Sequence, residues 1–499
     1  MEINVKELGK LSEFWEYFEK ISKIPRCSGR EAKIREFIQN EASTFNFHTK
    51  TDNVGNLLVK IPIKNIKKDQ KKVCLQCHLD MVCEKNKAYE HDFLKDPLKL
   101  KLIKIDDEKW LTAEGTTLGA DNGVGIAYCL IIMKKLSTGE INLGKIDLSF
   151  LFTVEEESGL LGAFNIDRNL IDCDYLINLD SENDETLTIG CAGGTNTFGS
   201  LEYEPDNVNE TMKESVPYKL SITGLIGGHS GVDIHRGRIN AIKLIGRILH
   251  ESDLSKISLH SIRGGNRTNA IPRETEVIFF LDRKNINEFI SSLEQLISSI
   301  KQELRKTEPN LQISLIELNN FQENHIIPDL IKNKLITLIH TLPNGPISMH
   351  PKFSNLVHTS TNLASINIDE HMIDIKTKQR SLEEISKIEI REKIKAEFEA
   401  TNLNFEIKFE ADYPGWNPNF NSNLLIKAKE KYNELFHKEA LVNVVHAGLE
   451  CGILKRHFPD IDMISFGPTT KDAHSPDESL QIKSIQKIWQ FLIALIKLL

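Results

Sequence analysis

Residues 115–127 read GTTLGADNGVGIA, a glycine-rich turn that carries one carboxylate, Asp121, into an apolar helix expected over Asn122–Leu136. Taken alone, Asp121 is what many turns and helix N-termini favour. Its partners along the chain give it another reading. VCLQCH ends in His78-Leu79-Asp80, IDLSFLFTV runs into Glu155-Glu156-Glu157, the short strand Tyr175–Leu179 ends in Asp180, and the loop GPTTKDAHSPDE holds His474. Nearly continuous apolar runs of this kind suit strands covered on both faces. Strands alternating with helices predict an α/β fold with a mostly parallel central sheet flanked by helices. Ligand sites in such sheets lie beyond the carboxyl ends of the strands, where these side chains are expected.

The chain has 499 residues, more than one core usually supports, so two or more domains are expected. Its 62 basic and 71 acidic side chains give a net charge of −9 without a basic block, which argues against nucleic acid as a partner. The opening residues read as an amphipathic helix with acidic positions rather than a signal peptide. The most apolar run, Ile488–Leu499, contains Lys497 and is too short to span a bilayer. It reads as a terminal helix docked on the core, with no membrane partner. The eight cysteines, among them Cys74, Cys77 and Cys83, read as reduced thiols rather than a disulfide framework. A cytoplasmic location is the expectation.

After Gly194 the rhythm changes. Strands at 218–223, 257–262, 274–281 and 311–318 with helices at 238–251 and 285–304 spell β-α-β-β-α-β, the ferredoxin-like split motif. A further stretch, with helices near 327–342 and 382–400 and strands near 363–377 and 405–411, either repeats this unit or extends it. The alternating rhythm returns at Tyr413-Pro414-Gly415-Trp416. Residues 1–193 and 412–499 are therefore expected to form one discontinuous domain, with residues 194–411 inserted into it as an α+β domain.

Each polar group has an ordinary reading. A lone His-x-Asp is usually a surface pair, three consecutive glutamates usually face water, and a loop histidine is usually exposed. Against these, Asp80 lies two residues from His78 and so on the same side of an extended chain, where a carboxylate can orient a ligating imidazole. The glutamate run abuts a buried strand and precedes Ser158-Gly159, so one carboxylate can face a metal while its neighbour works as a general base. His78, Asp121, the glutamate run, Asp180 and His474 together suit two bridged ions. Mixed imidazole and carboxylate ligation suits Zn²⁺, with Mn²⁺ or Co²⁺ as substitutes.

In order along the chain, His78-x-Asp80, Gly119-Ala120-Asp121-Asn122-Gly123, Glu156-Glu157-Ser158-Gly159, Asp180-Ser181-Glu182 and His474-Ser475-Pro476 resemble the two-zinc exopeptidases of the M20 family. The nearest resemblance is to the aminoacyl-histidine (Xaa-His, carnosinase-like) dipeptidase branch. Pro25-Arg26-Cys27-Ser28-Gly29, Gly190-Cys191-Ala192-Gly193-Gly194, Gly227-Gly228-His229-Ser230-Gly231, Asn269-Ala270-Ile271-Pro272 and His446-Ala447-Gly448-Leu449-Glu450 extend it over nearly the whole chain. The resemblance implies a zinc-exopeptidase-like catalytic domain and an inserted lid or dimerisation domain. It implies metal-dependent hydrolysis of dipeptides, Xaa-His dipeptides above all. Broader di- or tripeptidase, N-acyl amino acid deacylase and carboxypeptidase activities are the alternatives on the same scaffold. Carried over, His78 and Asp180 would hold one Zn²⁺, Glu157 and His474 the other, and Asp121 would bridge them. Glu156 would be the general base, Asp80 would orient His78, and His229 would stabilise the oxyanion. Asn269 and Arg380 would bind substrate, and a homodimer through the inserted domain is a further expectation. Glu155 stands where the family often has Asp, so the acidic run admits a register shifted by one; Gly159 favours the assignment given.

Overall fold

The structure, a computed structural model, describes all residues except 1–7, 63–69, 144–145, 208–213, 324, 352 and 354. The first seven residues of the predicted N-terminal helix therefore lie outside the description; the helix itself spans Ser12–Ser22 and buries Phe14, Trp15 and Phe18. The chain divides into two compact units. One comprises Met1–Gly190, Trp416–Val444 and Leu449–Leu499; the other comprises Cys191–Gly415 and Val445–Gly448.

The first unit is built on an eight-stranded sheet. At its centre strand Lys72–His78 runs parallel to Asp147–Thr153 on one side and Tyr175–Asn178 on the other, and the latter runs parallel to Asp462–Ser465. The hairpin His48–Thr51/Leu57–Lys60 and strand Thr186–Cys191 flank these antiparallel. The parallel centre follows from the apolar runs: Leu75, Cys77, Phe150, Phe152, Leu176 and Ile177 are all fully buried, each burial stabilising by roughly 1.5–3 kcal/mol for the larger side chains. Register sets the site, because His78 stands opposite Thr153. The strand ends that carry His78, the glutamate run and Asp180 therefore lie along one sheet edge.

Helix Ala120–Ser137 buries every residue from Asn122 to Met133, as expected of a segment that is apolar all round. Helix Ile482–Leu498 docks through Ile485, Ile488, Phe491, Leu492 and Leu495, as anticipated for the apolar C-terminal run. Among the described residues no helix is long and apolar enough to cross a membrane. A small sheet of Leu100–Ile105, Glu108–Ala113, Ser479–Gln481 and Thr470–Lys471 was not expected. Its first strand, LKLIKI, is at most half-buried, so it lacks the apolar run by which the central strands were recognised.

The cysteine reading needs correction at one pair. Cys27 and Cys83 form a disulfide with Cα atoms 5.7 Å apart, because Cys27 bridges to Met81 next to the end of the His78 strand. Cys74 and Cys77 are buried and free. Three apart on a strand, they point to opposite faces, and each faces a different thiol, Cys173 and Cys129. A CxxC redox couple is thereby excluded.

The second unit is one nine-stranded sheet with helices. Strands Ser215–Thr223, Ile257–Gly264, Thr275–Asp282 and Gln312–Glu317 with helices Ala241–Glu251 and Ile286–Leu304 realise the expected ferredoxin-like motif. The open question about the later stretch is answered by topology. Strand Gly193–Glu202, helix Asp329–Thr341, strands Val357–Ile368 and Met372–Ser381, helix Glu384–Ala400 and strand Glu406–Tyr413 follow the same order of elements. Their strands are arranged in the same spatial order. The stretch is a second copy, interrupted after its first strand by the whole first copy. The two join where Arg263 and Gly264 pair with Asn367 and Ile366.

Candidate metal centre

In the first unit the Asp121 turn is fixed by backbone contacts rather than by its own side chain. The Glu478 carboxylate accepts the N–H groups of Leu118, Gly119 and Ala120 at 2.8–2.9 Å and that of Asp121 at 3.3 Å. Arg26, only 2% exposed, donates to the carbonyls of Leu79 and Asp80 at 3.0 and 2.7 Å and to that of Gly119. Gly119 is at φ 66° with the Arg26 guanidinium 2.6 Å from where a Cβ would sit, so no larger residue fits. One arginine thus ties the His78 strand end to the Asp121 turn.

The Asp121 carboxylate is then shared. Its Oδ1 lies 2.7 Å from His78 Nε2 and its Oδ2 3.0 Å from His474 Nε2. His78 Nε2 also lies 3.3 Å from Asp180 Oδ1, and His474 Nε2 lies 3.0 Å from Glu157 Oε2. Two three-residue groups result, His78–Asp121–Asp180 and Asp121–Glu157–His474, with Asp121 common to both. His78, Glu156 and Glu157 form a third, with one candidate ligand atom of each within 4.8 Å of the others. It is Glu156 and Glu157 that reach His78; the Glu155 N–H is taken by Glu31.

Asp80 is fully buried. Its Oδ1 accepts the Glu156 N–H at 3.0 Å, and its Oδ2 accepts the Glu157 N–H at 3.1 Å and the Ser28 hydroxyl at 2.7 Å. Its Oδ1 also lies 3.4 Å from His78 Nδ1. Asp80 thus faces the His78 ring and anchors the glutamate turn, the second role being one that the spacing did not reveal. Burial pushes its carboxyl up, but His78, Ser28 and the backbone outweigh it and hold it below its usual range.

The electrostatics of the cluster are those of crowded carboxylates. Burial, then Asp121, push Asp180 up to about 7 and raise Glu157. Burial also raises Glu156 well above its usual range, with Glu157 and Asp180 adding to it. Burial opposes charge on both imidazoles, yet the carboxylates outweigh it: His78 is held well above its ordinary range and His474 is pushed up to about 11. Protons are being recruited to balance anionic charge, the work that divalent cations do when such ligands bind them. Glu157 Oε1 is buried and has no hydrogen-bond partner among the described residues, which fits an acceptor meant for a metal. The donor set of imidazole and carboxylate suits borderline divalent ions, so the residues fit two of them.

Residues that sequence reasoning missed surround this cluster. Asn122 donates to Asp180 Oδ1 at 2.5 Å. Glu450, which had a motif but no role, accepts from Gln76 at 2.6 Å and Thr153 at 2.7 Å; burial pushes it up to about 7. Glu478 had no signal at all, being one acid in a polar loop.

The second unit gathers the remaining candidates. His229 Nδ1 accepts the N–H groups of Gly231 and Val232 at 3.2 and 3.0 Å, which leaves the proton of the neutral ring on Nε2, the tautomer an oxyanion donor needs. Ser230 N–H donates to the Asn269 carbonyl at 2.7 Å; the exposed Asn269 stands in the turn just before strand Ala270–Ile271, which pairs with Gly228–His229. Arg380 is buried, donates to the Tyr413 hydroxyl at 2.7 Å, and keeps Nε without a partner among the described residues. A Cβ on Gly231 would meet the His446 carbonyl at 2.2 Å and both Arg380 Nε and His229 Cε1 at 3.1 Å. Glycine there lets the three approach one point.

Known proteins resemble this chain in sequence and in fold. The model of "Peptidase family M20/M25/M40" matches residues 74–498. The chain is 35% identical over 497 residues to the cytosol non-specific dipeptidase of Escherichia coli (strain K12), covering 99% of both chains. The structure of aminoacylhistidine dipeptidase from Vibrio alginolyticus superposes with a TM-score of 0.83 at 34% identity, covering 100% of this chain and 98% of that one. Human carnosine dipeptidase 1, at 12% identity and a TM-score of 0.51 over 97% of this chain and 95% of that one, shares the fold.

Proposed function

The chain belongs to peptidase family M20/M25/M40, and on that premise we propose that it is a metallo-dipeptidase cleaving Xaa-His dipeptides such as β-alanyl-histidine. The observation that carries the reading is the division of Asp121, one carboxylate oxygen toward each of two imidazoles that each meet a second carboxylate. His78 and Asp180 would hold one ion, Glu157 and His474 the other, with Asp121 between them. Zn²⁺ is the ion proposed, with Mn²⁺ or Co²⁺ able to replace it. When bound, the pair supplies Lewis acidity and brings the acidity of water toward neutrality.

Glu156, raised by burial, takes the proton of the attacking water and delivers it to the leaving amine. Asp80 keeps His78 oriented and the Glu156–Glu157 backbone in place. His229 donates from Nε2 to the carbonyl oxygen as it gains charge, while Asn269 and Arg380 hold the peptide's backbone and carboxylate. We assign residues 1–193 and 412–499 to catalysis and residues 194–411 to a lid that also carries the dimerisation surface of a homodimer. A cytoplasmic location is supported by the name of the Escherichia coli relative, with the Cys27–Cys83 disulfide as the feature that pulls against it.

The relative at 35% identity is named non-specific, which favours a broader dipeptidase as the second reading. The test uses chelated protein reloaded with zinc and a panel of β-Ala-His, Gly-His and Leu-Gly. Preference for the histidyl peptides supports the first reading, and equal cleavage supports the second. Glu156→Gln should keep its metal content and lose about 10²–10⁴ in kcat, the usual contribution of a general base. A variant within a fewfold of the parent would remove Glu156 from the chemistry.

A further inference from the structure

A second group of potential ligands lies in the inserted unit, outside the site described above. His260, on strand Ile257–Gly264, is 3% exposed. Its Nδ1 lies 2.8 Å from the carbonyl oxygen of His325, and since a carbonyl can only accept, Nδ1 carries a proton. Its Nε2 lies 2.8 Å from Glu323 Oε2. In a neutral ring that nitrogen offers a lone pair to a carboxylate, which is unfavourable unless a cation stands between them. A lone proton would satisfy the pair and would need nothing further. The third group argues for more: the His325 ring lies 4.1 Å from that of His260, centroid to centroid, and one ligand atom each of His260, Glu323 and His325 lies within 4.8 Å of the others.

Backbone pairing holds these residues in place. His325–Ile326 pairs with Asp206–Asn207, and the Ile327 N–H donates to the Leu259 carbonyl at 2.7 Å, next to His260. Phe321 and Phe280 set their rings edge-on to His260 at 5.1 and 6.2 Å, covering it with apolar surface. A ligating histidine usually donates its other N–H to a carbonyl or carboxylate, which is the arrangement His260 shows.

We propose that His260, Glu323 and His325 form a separate site for one divalent transition-metal ion, clipping the segment before helix Asp329–Thr341 to strand Ile257–Gly264. Two imidazoles and a carboxylate, with water in the remaining position, suit Zn²⁺, Co²⁺ or Ni²⁺.

The test is the zinc content per full-length chain, by inductively coupled plasma mass spectrometry after dialysis against micromolar free zinc. The parent is compared with the double variant Glu323→Gln/His325→Gln. Whatever number of ions the Asp121 cluster holds cancels in the difference. The double variant should lose one ion per chain while hydrolysing dipeptides at the parental rate. An unchanged count would overturn the proposal and leave a His–Glu ion pair. Should the double variant fail to fold, Glu323→Gln, whose side chain is exposed, decides the matter. The affinity of the additional zinc should fall at least about tenfold, and an unaltered titration would overturn the proposal equally.

Discussion

Glu478 is the position at which removing one side chain should do most damage without replacing a proposed metal ligand. It is 2% exposed, and its two oxygens take four backbone N–H groups of the Asp121 turn, three of them at 2.8–2.9 Å. Truncation to alanine leaves these donors buried. At about 1–3 kcal/mol for each unsatisfied donor, the three short bonds alone put the loss at roughly 3–9 kcal/mol, reduced to the extent that water enters the space left. Glu478→Gln retains the volume but turns an amide NH₂ toward one pair of donors, so about 2–4 kcal/mol is expected. The same substitution frees the turn that presents Asp121, and zinc affinity should drop about 10–100-fold, the usual cost of losing a group that supports a ligand. Urea denaturation of zinc-loaded and chelated protein measures the first quantity, and competition with a chromophoric chelator measures the second. A Glu478→Gln protein with parental urea midpoint and zinc affinity would refute the claim that this carboxylate builds the turn.

Two further predictions concern titration. His446 lies against Ser360, with Nε2 2.7 Å from its hydroxyl, and burial, then Arg380, depress it to about 3. Its unfolded value is about 6.5, so the unfolded chain binds the extra proton between those limits, and stability falls as pH drops from 6.5 toward 3, by up to about 5 kcal/mol. His446→Gln should flatten the acid limb of a plot of urea midpoint against pH; an unchanged limb would show that His446 is not buried in its neutral form. Lys378, over the Tyr413 ring at 4.8 Å, is pushed down to about 7 by burial and by Arg380 and Lys387. Because the unfolded chain holds that proton up to about pH 10.4, stability should rise from pH 7 toward 10. Lys378→Met should raise the melting temperature at pH 7 and lose that advantage near pH 10, and an equal effect at both pH values would contradict this.

The parts of the fold that could be read from sequence are those where burial leaves a pattern. VCLQCH and IDLSFLFTV are apolar on both faces and became the parallel centre. The inserted β-α-β-β-α-β unit alternated clearly enough to be placed. The second copy could not be recognised, because its first strand is separated from its remaining elements by the entire first copy, and a local pattern carries no information about which distant strand completes it. The candidate site was legible as strand-end His, Asp and Glu residues. What was not legible is what holds them: Arg26 and Glu478 act on backbone groups, and backbone acceptors and donors are the same whatever the sequence. Asp80 was read as a partner of His78, but its bonds to the Glu156 and Glu157 N–H groups depend on a turn conformation that spacing does not specify. The Cys27–Cys83 bridge was missed for a similar reason, since composition speaks to compartment and not to proximity.

The interrupted copy also has a consequence for synthesis on the ribosome. Strand Gly193–Glu202 emerges early, yet the strands that flank it, Met372–Ser381 and Glu406–Tyr413, follow only after the first copy has been made. Until then both of its edges are open, and open edges invite pairing with other chains. The first copy has all four of its strands in one continuous stretch and can close while the nascent chain is still growing. Its completed edge at Arg263–Gly264 then offers a template for the late strand Val357–Ile368, so translation order and sheet assembly run in the same direction.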